Sequence, residues 1–444
     1  MARTPALAHD AAPPGRTRIV AIDMLRGFAI LWVLLYHLWT DLRYPNVYPA
    51  QADAFRAVPH RIAEGNLAAA ATAVSDAFLR VGYLGVPLFM VLSGLSLTIV
   101  ALRREVAPER ARSMLLRRLR RVLLPYWAGT ALTLAFAAAL ALVQWQRHGG
   151  DGYMEYLRNG DVSIDGAQLF AGALLVPRIL RDEWQFAPEG SLWFVLVAAQ
   201  YYVLFPLLLA AMKRVGPWLF LGATLAVTLA SLEAIALAGG GLAAHRSWVE
   251  MGAPFRLCEF GAGMTVGYLL VQRQAMLAAV ARLPLAAAYL SAGGAIFVAA
   301  CLIPPDGRLL APLQVPAVVI GFTLICAPLI GRRAGAVDAS GGGRALAWVG
   351  AISYTVLIVS EPLRSVTHTL SAEHVADGWI TLWALAGFLP LSIVLARPLA
   401  KLLGLVPRES RRLTVDDLIG RADGSSRPAV ADETVASMHE ARPR

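Results

Sequence analysis

Apolar stretches long enough to cross a bilayer, which takes about 20 residues, recur along the chain and are broken by short polar or basic segments. The pattern predicts helical spans near residues 19–39, 80–102, 121–144, 191–212, 217–238, 254–272, 284–303, 314–331, 347–369 and 378–400. Placing the N-terminus in the cytoplasm puts every even-numbered connection on that side. Those connections hold the basic residues: Arg103-Arg104 through Arg120-Arg121, Lys213-Arg214, Arg273 with Arg282, and Arg332-Arg333 with Arg344. Lys401, Arg408, Arg411 and Arg412 follow in the tail. Agreement with the positive-inside rule supports this orientation. The expected architecture is an all-α polytopic membrane helix bundle of about ten transmembrane helices. Residues 1–18 are expected to form a disordered cytoplasmic N-terminus, 19–400 the transmembrane domain, and 401–444 a disordered cytoplasmic tail.

Two outer connections are long, Thr40–Leu79 and Trp145–Gly190. The second is rich in Gly, Asp and aromatics, a composition suited to a lid over an outward-facing cavity. Met1–Arg18 is polar, without a short apolar core or a small-residue cleavage site, so the first apolar helix is expected in the mature protein. With no soluble catalytic domain predicted, any activity belongs to the bundle.

Composition narrows the class. The chain is 57% hydrophobic and 16% charged, where a soluble protein carries about a quarter charged residues. The net charge of +10 resides in the inter-span segments, which argues for loop topology and against nucleic acid. Cys258, Cys301 and Cys326 all fall in apolar stretches without metal-ligand spacing, so neither a disulfide nor a metal is expected. Internal repeats are not evident, which counts against a transporter built from repeated halves.

The first span carries the chemistry. Arg26 and His37 lie eleven positions apart, which at 3.6 residues per turn returns them to nearly one face, roughly 16 Å apart along the axis. Charged side chains inside a span cost about 2.5–3.5 kcal/mol on insertion scales, so they mark function by default. His37 suits a general base that takes a proton from a hydroxyl, with Asp41 one turn further on to orient the ring. An interfacial histidine beside Trp39 is the plainer alternative. Arg26 suits an anionic donor arriving from the cytoplasm; snorkelling, or pairing with Asp23 three residues earlier, is its alternative.

Further charges cluster elsewhere. Arg117, Arg118 and Arg121 lead into Pro125-Tyr-Trp127, either anchoring a cytoplasmic loop or meeting the phosphates of a nucleotide-like donor. Arg256 and Glu259 are one turn apart and are expected to pair. Ser360-Glu361-Pro362 with Arg364 brings another carboxylate and guanidinium to the outer end of the ninth span. The small residues of Gly85–Gly94 are expected to let helices approach closely.

Four stretches in order are Met24-Leu-Arg-Gly-Phe-Ala…Tyr36-His37, Gly85-Val-Pro-Leu-Phe-Met-Val-Leu-Ser-Gly94, Arg117-Arg-Leu-Arg-Arg-Val-Leu-Leu-Pro-Tyr-Trp127, and Leu192-Trp-Phe…Gln200-Tyr-Tyr…Phe205-Pro206. Weaker echoes follow at Arg256-Leu-Cys-Glu-Phe-Gly…Met264 and Ile352-Ser-Tyr354. Together they resemble the acyltransferase 3 superfamily of integral-membrane acyltransferases. The resemblance implies an acyl-CoA donor on the cytoplasmic side of a bacterial inner membrane. It implies an acceptor hydroxyl on a glycan, lipid-linked saccharide or small molecule, with acetyl or succinyl as the group moved. Arg26 and His37 become the essential pair, and Arg117, Arg118 and Arg121 the donor-binding cluster. Asp41, Trp193 and Glu361 are the substrate-binding candidates. The chain departs from many members at Pro87, where they carry an acidic residue. It departs again at Ala198-Ala199, where they carry two glutamates, and at Ser360-Glu361, where a histidine is frequent. Those departures point away from the O-antigen and peptidoglycan acetylating branch. Two other classes stay open on residues alone: a transporter or flippase that changes no covalent bond, and a family member that binds donor without turnover.

Overall fold

The computed structural model describes residues 20–43, 51–103, 115–116, 118–132, 193–238, 245–303, 310–331, 341–372 and 382–404, with isolated helical positions elsewhere. Among the described residues the secondary structure is helical, with no strand. Helices α1 (Val20–Arg43), α2 (Gln51–Ala63), α3 (Leu67–Arg80) and α4 (Gly85–Arg103) open the chain. The helical residues 118–132, here α5, precede α6 (Trp193–Val215), α7 (Pro217–Leu237) and α8 (Arg246–Met251). Then come α9 (Leu257–Gln272), α10 (Gln274–Val280), α11 (Leu285–Cys301) and α12 (Ala311–Gly331). Last are α13 (Gly341–Ala351), α14 (Ser353–Ala372) and α15 (Leu389–Leu402), the last entered through a π-helical turn, Trp383–Phe388.

Five helices are long and apolar enough to cross a membrane: Val20–Asp41, Gly82–Arg103, Trp193–Val215, Pro217–Leu237 and Ala311–Ile330. A bent pair, Gly341–Ala351 with Ser353–Arg364, raises the number among the described residues to six. The segments expected to span at 254–272 and 284–303 form the shorter helices α9 and α11. Those expected at 121–144 and 378–400 are described only in part. The outward faces of α6 and α7 carry exposed Val203, Leu207, Trp218, Leu219 and Leu237, apolar surface of the kind that meets lipid. The molecule is a polytopic membrane helix bundle.

Two differences from the sequence reading bear on the site. The segment 347–369, expected as one straight span, bends by 75° between α13 and α14. Its cause is a close approach. A Cβ on Gly350 would strike the Asp23 carbonyl, and one on Gly27 the Leu346 carbonyl. Backbone contact without side chains thus presses α13 along α1, while α14 turns away to pack on both α1 and α15. The connection Thr40–Leu79, expected on the outer side, holds a helical hairpin, α2–α3. Gly65 turns it at φ 68, in the left-handed region that favours glycine, and Asn66 Oδ1 caps α3 by accepting the Ala69 N–H at 3.1 Å. Trp39 Nε1 donates to Asp76 Oδ1 at 3.0 Å and Trp32 Nε1 to the Phe78 carbonyl at 2.9 Å, seating α3 against α1.

Among the described residues, helices α4 and α9 share the most extensive contact. A Cβ on Gly94 would meet the Phe260 carbonyl, and one on Gly263 the Val91 carbonyl. The small residues of Gly85–Gly94 serve packing, as expected. Around this pair, α1 stands between two cores. Ile30, Leu34 and Leu38 join Phe194, Tyr201 and Phe260 on one side, while Ala29 and Trp32 join Leu88, Leu92 and Phe322 on the other. With α1 wedged this way, its polar stripe is fixed in direction.

Candidate functional site

The stripe begins at Asp23 and Arg26. Three residues on a helix bring the two onto adjacent positions, and Arg26 Nη1 lies 3.8 Å from Asp23 Oδ1. A stronger contact crosses to α4, where Arg26 Nη2 donates to Ser96 Oγ at 2.9 Å. The Ser96 hydroxyl donates in turn to the Leu92 carbonyl at 2.6 Å. Since its one proton is spent on that carbonyl, Ser96 presents lone pairs to the guanidinium. The Arg26 side chain keeps 26% of its surface accessible, against 9% for Asp23. A guanidinium with five N–H donors and, among the described residues, these two contacts retains donors for an anion.

Three helical turns on, His37 is half-buried. Its ring tilts against Tyr36 at a centroid distance of 5.3 Å, and Tyr36 contacts Tyr83 at 5.6 Å. The Thr40 hydroxyl donates to the backbone carbonyls of Tyr36 and His37, occupying the backbone there and not the imidazole. Among the described residues no hydrogen bond to the imidazole is made. One turn further, buried Asp41 contacts Arg364 of α14, with Oδ1 3.5 Å from Nη1. Arg364 Nε lies 3.7 Å from Oε2 of Glu361, which is also buried. The same guanidinium lies within electrostatic reach of His37. Asp41 and Glu361, 320 positions apart in sequence, thus meet at one cation.

The third group is a support. Trp193 opens α6, and the Arg256 guanidinium lies over its ring at 4.8 Å. Arg256 also grips Glu259, with Nη2 to Oε1 at 2.8 Å and Nε donating to Oε2 at 3.2 Å. The expected pairing is present, as an ion pair with one hydrogen bond. Gln200 donates to the Met251 carbonyl at 2.8 Å and accepts the Ala253 N–H at 3.1 Å, while the Tyr201 hydroxyl donates to the Ala253 carbonyl at 2.7 Å. The tryptophan motif of α6 therefore clamps the irregular entry to α9.

Of the basic cluster, Arg118 is half-buried and Arg121 exposed on α5, while Arg117 lies outside the described residues. The Tyr354 hydroxyl donates to the Val122 carbonyl at 2.8 Å, tying α5 to α14. Sequence reasoning missed Ser96 as the partner of Arg26; it left Glu361 and Arg364 either to line a cavity or to balance each other, and missed Asp41 as the second partner of Arg364. A serine bonding its own helix carbonyl is common inside spans, so nothing in the sequence singled out Ser96. Arg364 had a signal, a guanidinium three residues from a carboxylate. Among the described residues, no His, Cys, Asp and Glu side chains group as metal ligands would.

One comparison with known families bears on the chemistry. A family model described as an acyltransferase domain matches residues 19–399, nearly the whole chain and every element of the stripe. No curated protein and no solved structure matches.

Proposed function

The chain belongs to the acyltransferase family matched over residues 19–399, and from that premise we propose that it moves an acetyl or succinyl group from acyl-CoA to a carbohydrate hydroxyl. The family makes it a membrane acyltransferase. The single observation that carries the finer reading is the α1 stripe: an anchored, partly accessible guanidinium at Arg26 and, among the described residues, an imidazole without a hydrogen bond at His37.

In this reading the donor enters from the cytoplasm, its phosphates met by Arg26 and by Arg117, Arg118 and Arg121. His37 takes the proton of the acceptor hydroxyl as its oxygen attacks the thioester carbonyl carbon. The C–S bond breaks, the new ester bond forms, and the CoA sulfur leaves with the proton returned from the imidazole. Asp41 and Glu361 face the acceptor, a hydroxyl-bearing glycan, lipid-linked saccharide or small molecule. Residues 1–18 and the tail lie on the donor side of a bacterial inner membrane.

The test is direct. Purified full-length protein in nanodiscs is given radiolabelled acetyl-CoA or succinyl-CoA, with N-acetylglucosamine and extracted envelope glycans as acceptors. The expected result is acyl incorporation and CoA release, both lost in His37→Ala at an unchanged melting temperature. Incorporation by His37→Ala at the wild-type rate would overturn the reading. Substrate movement across the nanodisc without CoA release would replace it with a transporter.

A further inference from the structure

A guanidinium shared by two carboxylates from different helices is an orienting device, because the planar fork fixes both partners at once. Arg364 has that position: 3.5 Å from Asp41 on α1 and 3.7 Å from Glu361 on its own helix, α14. Asp41 lies one turn past His37 on α1, and Asp41 and Glu361 are each less than a tenth exposed. Burying two carboxylates is costly unless a cation and hydrogen bonds compensate. Yet Glu361 Oε1 is buried with no hydrogen-bond partner among the described residues. A purely structural ion pair would gain by satisfying both oxygens. A buried carboxylate oxygen left without a donor is where a ligand hydroxyl belongs.

Resting on the acyl-transfer reading, we infer that Arg364 is a positioning residue for the acceptor: by holding Asp41 and Glu361 together, it aims the open Glu361 oxygen at an acceptor hydroxyl next to His37. Arg364 touches neither acyl group nor thioester. The bond changes are those already described; the Glu361 oxygen accepts a hydrogen bond from a hydroxyl of the acceptor and takes no proton. The site therefore selects acceptors carrying at least two hydroxyls, one to react at His37 and one to be held by Glu361.

Two measurements on full-length protein in nanodiscs decide it. The first needs no turnover: melting temperatures of Asp41→Asn, Arg364→Gln and the double variant, which are expected to be non-additive. Additive shifts would mean the ion pair does not exist and would overturn the inference whatever the protein acylates. The second uses acetyl-CoA with N-acetylglucosamine as probe. Arg364→Gln and Glu361→Gln are expected to raise the acceptor KM at least tenfold while leaving the donor KM within twofold. The Asp41→Asn/Glu361→Gln/Arg364→Gln triple variant, which removes the cation and both carboxylate charges together, is expected to regain melting temperature without regaining acceptor KM. Unchanged acceptor KM in the single variants, or recovery of KM together with stability in the triple variant, would reduce Arg364 to a structural residue.

Discussion

Arg26 and Ser96 stand 70 positions apart and meet at 2.9 Å, across the interface of α1 and α4. The contact is directional at both ends, since the Ser96 proton is committed to the Leu92 carbonyl 2.6 Å away. The guanidinium is thereby held away from Asp23, which at 3.8 Å makes only a loose pair. An arginine free to collapse onto its own carboxylate would be a poor anion site; one pinned to a neutral hydroxyl keeps its charge available.

Ser96→Ala is the variant that isolates this contact. Hydrogen bonds to charged groups contribute about 1.5–3 kcal/mol, and the partial exposure of Arg26 puts this one at the low end. The expected outcome is a donor KM raised by about 3- to 10-fold, with kcat nearly unchanged, since about 1.4 kcal/mol corresponds to tenfold. Ser96→Thr, which keeps the hydroxyl, should restore the donor KM. Steady-state kinetics with acetyl-CoA as the varied substrate checks both.

The contact of Gly27 and Gly350 leaves no room for a methyl group on either residue, because each Cβ would strike backbone of the facing helix. Overpacking of this kind costs typically about 1–3 kcal/mol, and backbone on both sides puts it at the upper end. Gly350→Ala should therefore lower the melting temperature and reduce transfer, because α1 must shift and carries Arg26 and His37 with it. Gly222→Ala in α7 is the control: nothing lies within 4 Å of its Cβ, and alanine is preferred over glycine in helices by roughly 1 kcal/mol. Thermal unfolding in detergent should separate the two.

What the sequence made legible follows from distance along the chain. Spans such as α1, α4, α6, α7 and α12 announce themselves by apolar length, and pairs one turn apart, Asp23 with Arg26 and Arg256 with Glu259, follow from helical geometry. Contacts between helices did not follow. Ser96 and Arg364 gain their roles from partners 70 and 323 positions away, and no local pattern encodes that. The hairpin α2–α3 was hidden because its helices, of 13 and 14 residues, are too short to span a membrane, so hydropathy read them as connection. The bend before Ser353 was hidden because apolar character runs through it; its cause lies in Gly27 on another helix.

Arg256 and Glu259 are both buried, and each is the other's main compensation. Removing one partner of such a pair leaves an uncompensated charge, at a cost of roughly 3–5 kcal/mol, whereas replacing both with apolar groups is often neutral. Arg256→Met should thus be far less stable than Arg256→Met/Glu259→Leu. A melting series of the two singles and the double tests this. Equal losses in single and double would show that the pair serves something other than mutual compensation.

Trp193 has two possible duties, and one substitution series separates them. Its ring lies beneath the Arg256 guanidinium at 4.8 Å, an interaction contributing about 0.5–2 kcal/mol depending on desolvation. Phenylalanine keeps a π face for the guanidinium; alanine does not. If the ring only braces Arg256, Trp193→Ala should lower melting temperature and transfer together, while Trp193→Phe should keep both close to wild type. If the indole also touches the acceptor, Trp193→Phe should raise the acceptor KM at an unchanged melting temperature, because the N–H donor and the wider ring are lost while the brace remains. The bracing outcome is expected, since the cation already occupies one face of the ring and Gln200 and Tyr201 of the same helix are spent on Met251 and Ala253.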